Sequence, residues 1–119
     1  MIHAYNEIYL NSVMKNLAAL FDLAINAEGY AADEFASFFA TSDIASGIES
    51  GVPNILTGKS ATELLIELTG KDLEYTSVPT DRTPQYWAGW VLAKAQWYLN
   101  KSFSEILSVM PFSRLVNMY

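Results

Sequence analysis

The chain has no cysteine and a single histidine, His3. Disulfides and thiolate metal sites are excluded, and one imidazole at a terminus expected to fray supports neither a histidine metal centre nor a Ser-His triad. Catalytic, cofactor-binding and metal-ligating residues are therefore expected to be absent, and the protein is read as a non-enzyme. Long uncharged runs are missing too. No stretch reaches about 18 apolar residues without a breaker, and no basic segment precedes an apolar run at the N-terminus, which argues against secretion or a membrane span and for a cytoplasmic protein. Basic residues are scarce in the first half. Residues 1–50 carry Glu7, Asp22, Glu28, Asp33, Glu34, Asp43 and Glu49 against Lys15 alone, so the whole net charge of −6 lies there. Such a surface repels nucleic acid and suits a basic partner.

What is present is enough for a core. With 119 residues, of which 51% are hydrophobic, the chain can fold as one domain spanning residues 1–119. Apolar residues recur at three- and four-residue spacing, and no alternating run is long enough for a sheet. The expectation is an all-α bundle of about five to seven helices around a buried central helix at about 83–100. Thr83 caps that helix and Pro84 fits its first position. It holds Trp87, Trp90 and Trp97, read as structural core, with Gln85, Gly89, Gln96 and Asn100 as a thin polar edge. Gly89 and Ala93, four residues apart, would let a neighbouring helix approach closely.

The other elements follow from local signals. A first helix is expected from about Ala4 to Ala27, stopping at Gly29, with Glu7, Asn11, Lys15 and Asp22 on its solvated face. Asp33 or Glu34 opens a short helix, Ser42 caps another that ends at Gly51, and Ile55-Leu56 forms a plug or single turn. Ser60-Ala-Thr-Glu63 and Ser102-Phe-Ser-Glu105 are capping boxes. The second box opens a helix interrupted at Pro111, and a last turn or two follows. Residues 71–82 read as a surface connection with an extended piece at 73–75.

Two constellations hint at chemistry without amounting to it. Glu63 and Glu67 share a helix face, where the first caps and the second can pair with Lys71. Gly58-Lys59-Ser60 matches the end of a phosphate-binding loop, but lacks the upstream glycine and the preceding strand. The Trp and Tyr cluster at 86–98 is expected to pack a core rather than stack bases.

Residues 33–69 resemble a helix-turn-helix of the phage-repressor type. Phe35-Ala36 stands for its opening pair, Ala40-Thr41-Ser42 for the turn, and Ile48-Glu49-Ser50-Gly51 for the end of the recognition helix. Leu64, Leu65 and Leu68 stand for the helix packed behind. The resemblance implies DNA binding, yet residues 16–58 contain no lysine or arginine to neutralise phosphate. Direct nucleic-acid binding is disfavoured, and the segment is read as a scaffold for protein contacts.

The whole chain is also similar to small uncharacterised proteins of gut Firmicutes and their mobile elements. The shared residues are Ala4-Tyr-Asn-Glu-Ile-Tyr-Leu10, Gly29-Tyr30 with Asp33-Glu-Phe35, and above all Tyr86-Trp-Ala-Gly-Trp90 through Gln96-Trp-Tyr98. The resemblance implies a companion of toxin-like genes, with a C-terminus that continues past Met118-Tyr119 in similar proteins. The expected function is thus a small acidic protein-binding regulator, antitoxin-like or accessory, that engages a basic toxin or nucleic-acid-binding effector through Glu28, Asp33, Glu34, Asp43 and Glu49. Two alternatives accompany it: an inhibitor such as an anti-CRISPR protein that imitates nucleic-acid charge, and a helix-turn-helix repressor.

Overall fold

The computed structural model describes residues 3–56, 58–71 and 83–119. Eight α-helices are found there and no strand, so the all-α expectation holds with more helices than anticipated. The extended piece expected at 73–75 lies outside the described residues. Helix α1 is Leu10–Asp22, α2 Ala32–Ala40, α3 Asp43–Glu49, α4 Pro53–Leu56, α5 Ala61–Thr69, α6 Pro84–Leu99, α7 Phe103–Val109 and α8 Phe112–Asn117. The first helix does not begin at Ala4. A 3₁₀ turn at Glu7–Tyr9 leads into α1, with the Asn6 side chain accepting from the Ile8 N–H, and a π-type turn at Leu23–Ala27 ends it.

Local signals set most ends. Thr83, Ser42, Ser60 and Ser102 each accept from a backbone N–H three residues on, and both capping boxes are complete. Gly29 and Gly51 take φ of +79° and +71°, where a side chain would be strained, and turn the chain out of its helices.

Helix α6 packs along α1, the most extensive helix pair in the fold. A Cβ on Gly89 would stand 2.8 Å from the Leu17 carbonyl oxygen and 3.0 Å from Ala18 Cα, so the two backbones meet there. Both Gly89 and Ala93 are buried. Beside this contact lies a cluster of phenylalanines. Phe21 stacks on Phe112 at 4.3 Å and meets Phe35 and Phe39 edge-on at 5.2 and 5.4 Å, while Phe103 meets Phe39 at 5.0 Å. All five are fully buried, and they join α1, α2, α7 and α8. Edge-on and offset pairs of this kind add to the area they bury.

Several sequence expectations are corrected here. Asp22 is buried rather than solvated: its Oδ1 accepts from Thr83 Oγ1 at 2.6 Å and Asn26 Nδ2 at 2.8 Å, tying the end of α1 to the start of α6. Gln96 is 1% exposed and donates through Nε2 to the Lys101 carbonyl, so of the supposed polar edge Gly89 and Gln96 face inward, while Gln85 is half-buried and Asn100 exposed. Glu67 pairs with Lys59, not Lys71. Lys71 instead lies over the Tyr30 ring.

The stretch Glu7–Ala27 is long and apolar enough, by length and composition, to cross a membrane, although Glu7, Lys15 and Asp22 punctuate it. Half of its most apolar window is buried inside the fold, where its apolar stripe lies against α6 and the phenylalanines. That burial is what a core helix requires.

Candidate functional site

The tryptophans divide between core and surface. Trp97 is buried at 8% exposure and donates through Nε1 to the Tyr5 carbonyl at 2.9 Å. His3 does not fray: its ring stacks on Trp97 at 3.7 Å, and its Nδ1–H donates at 2.8 Å to the Trp97 carbonyl, one of the unpaired acceptors at the end of α6. Burial pushes the Tyr5 phenol above its ordinary range. Trp87 and Trp90 were expected in the core as well, but both are only half-buried. The reason is the close backbone contact at Gly89. Gly89 and Ala93 face α1, and Trp87 and Trp90 stand on other sides of the helix.

Facing away from α1, these large residues line a groove. Two hollows, of about 410 and 460 Å³, share Val91, Ala95 and Leu99. The first is closed by Ile106 and Val109 of α7, Met110 just after it and Leu115 of α8, the second by Trp87, Trp90 and Tyr98. The walls are almost wholly apolar, and Tyr98, Leu99 and Val109 remain 58%, 47% and 77% exposed. The charged residues along the two hollows are Lys94, Lys101 and Glu105. The Glu105 carboxyl accepts from the Ser102 N–H and hydroxyl, which hold it below the usual carboxylate range.

The five acidic residues expected to bind a partner do not form one surface. Asp33 accepts from the Ser113 N–H at 2.9 Å and the Ser113 hydroxyl at 2.6 Å, so it caps the start of α8. The hydroxyl contact, then the N–H contact, lowers its pKa. Glu49 Oε2 accepts from the Phe103 N–H at 2.7 Å and caps α7. Glu28 is half-buried at the end of the π-type turn. Only Glu34 and Asp43 are exposed without a capping duty in these contacts; Asp43 borders a shallow hollow with Phe38 and Glu67. The helix-turn-helix-like segment does form two helices, α2 and α3, about Thr41-Ser42. The exposed side chains of α3 are Asp43 and Ser46.

Among the described residues no three His, Asp or Glu side chains gather to hold a metal ion. Comparison of the chain with protein-family models, curated proteins and solved structures finds no match.

The groove is the candidate feature that sequence reasoning missed. Its signal was the breadth of the aromatic surface on α6. At about 100° per residue, Trp87, Val91 and Tyr98 lie on the side of the helix opposite Gly89, which with Ala93 already marked the face that packs most closely.

Proposed function

We propose that the protein is a non-catalytic regulator that acts by binding another protein, and that the partner seats in the groove on the outer face of α6. The observation that carries this reading is the exposed apolar floor and rim of that groove, from Trp87 to Leu99 on α6 and from Ile106 on α7 to Met110 just after it. Leaving such side chains in water forgoes about 25 cal/mol for each Å² of apolar area, a cost that a seated partner removes. The wall offers almost no polar atoms for orienting a small polar ligand, whereas protein interfaces centre on apolar and aromatic anchors of this type.

A second reading retains the acidic surface, favoured by the exposure of Glu34 and Asp43. There the partner is a basic toxin or nucleic-acid-binding effector, and the protein is antitoxin-like or, as an anti-CRISPR protein would be, a mimic of nucleic-acid charge. DNA binding through α3 is the weakest reading, because its exposed face carries an acid and no base.

Affinity capture from the native host separates these readings. Wild type, Tyr98→Glu and the double variant Glu34→Lys/Asp43→Lys serve as baits, each checked for an unchanged melting temperature. A protein retained by wild type and lost only with Tyr98→Glu supports the groove. Loss only with the acidic-surface variant moves the contact to α2 and α3. Retention by all three baits rejects both surfaces.

A further inference from the structure

We infer that the groove takes an amphipathic α-helix whose flanks are acidic; this rests on the groove being the partner site and names what fills it. The dimensions come first. From Trp87 to Leu99 the outer face of α6 runs for about 18 Å, the length of roughly three helical turns. The two hollows lie side by side along α6, one on each flank of the row Val91, Ala95 and Leu99 that they share, and a helix crossing that row can set apolar side chains three or four residues apart into each. Ala95 lies between them and belongs to both, which gives the helix a low saddle to cross. An extended peptide adding to a sheet has no edge to join among the described residues, which contain no strand.

Charge selects the flanks. Residues 83–119 carry Lys94, Lys101 and Arg114 against Glu105 alone, whereas residues 1–71 carry nine acids against three lysines. The groove thus lies on the one basic part of an acidic molecule. Lys94 borders one hollow and Lys101 the other; the Glu105 carboxylate, kept ionised by its hydrogen bonds from Ser102, offsets part of the Lys101 charge and leaves two cations to one anion along the groove. A helix with glutamates beside its apolar stripe meets opposite charge at both hollows, and one with lysines meets like charge.

The test uses two synthetic peptides of about four helical turns. Both carry leucine at i, i+4, i+7 and i+11; one has glutamate and the other lysine at the flanking positions. Binding to the full chain is read from peptide fluorescence anisotropy and from the emission of the half-exposed Trp87 and Trp90. The glutamate peptide is expected to bind at least about tenfold more tightly at low salt, with the gap closing near 1 M salt, where the screening length falls to about 3 Å. Lys94→Glu/Lys101→Glu is expected to invert the ranking, and Tyr98→Glu to weaken both peptides.

Equal affinity for the two peptides, or binding of neither, overturns the inference; so does a ranking that charge reversal leaves alone. Those results leave the groove itself standing if Tyr98→Glu still abolishes capture of the native partner. If capture survives Tyr98→Glu, the groove reading fails instead. Sedimentation of the wild type as a dimer that Tyr98→Glu disperses places a second copy in the groove and also overturns the proposal.

Discussion

The two faces of α6 invert the simplest polarity rule. Toward α1 it presents Gly89, Ala93 and the amide of Gln96, all buried, while the opposite face presents Trp90, Val91 and Tyr98 to a partly open groove. Gly89 and Ala93 are inside because they let two helix backbones touch; Leu92 and Trp97 are buried beside that contact, while Trp87, Trp90 and Tyr98 find no room in it. Helix packing selects for shape before hydrophobicity where axes approach closely. Aromatic content alone therefore does not identify the buried face of a helix, and the surplus aromatic face becomes available for a partner.

The largest effect should come from filling the inner contact. Gly89→Leu is expected to destabilise the protein by about 3 kcal/mol or more, because the atoms it meets are α1 backbone that cannot turn aside. Loss of the cooperative thermal transition, or a fall of many degrees in its midpoint, is the readout; an unchanged melting temperature would mean that the helices do not touch at Gly89. Gly89→Ala sharpens the same point. Helix propensity alone would favour alanine by about 1 kcal/mol, so a net loss isolates the clash.

A smaller loss is expected from Trp97→Phe, which keeps a ring for His3 to stack on but removes the Nε1–H that satisfies the Tyr5 carbonyl. About 1–2 kcal/mol should be lost in urea unfolding. On the outer face Tyr98→Ser should shift stability by no more than about 0.5 kcal/mol, since the residue is 58% exposed. A destabilisation as large as that of Trp97→Phe would show Tyr98 to be part of the core and remove the contrast between the faces.

The least effect concerns pH. Hydrogen bonds from Ser113 place the folded pKa of Asp33 below its ordinary value of 3.8. Stability from this cap is thus fully present above that value and is lost as pH falls through the lower, folded pKa. Asp33 is exposed, so solvent screening keeps the contribution small. Thermal melts of wild type and Asp33→Asn should differ at pH 6 and converge as the solution is acidified through the lowered, folded pKa. A constant difference across that range would rule out a titrating cap.

Local physics made much of the fold legible in advance. The cap at Thr83 with Pro84, the boxes at Ser60/Glu63 and Ser102/Glu105, and the turns at Gly29 and Gly51 act within a few residues, so they can be recognised along the chain. The acidic residues were harder to place. Asp22, Asp33 and Glu49 find their partners 61, 80 and 54 residues away, in Thr83, Ser113 and Phe103, so composition gives them no reason to be anything but surface charge. The phenylalanine cluster has the same character. Phe21, Phe35, Phe39, Phe103 and Phe112 belong to four helices, and five of the six phenylalanines meet only when those helices converge.

What the sequence by itself determined is the all-helical class, the helix ends set by caps and glycines, the acidic excess of the first half and the close-contact pair Gly89 and Ala93. Tertiary structure alone decided which face of α6 is buried, which carboxylates are spent as caps, and where the apolar groove opens. The division follows from range. Capping and periodicity act over one or two turns of a single helix, whereas burial depends on which backbone comes to lie against which, and α1 reaches Gly89 only in the folded chain.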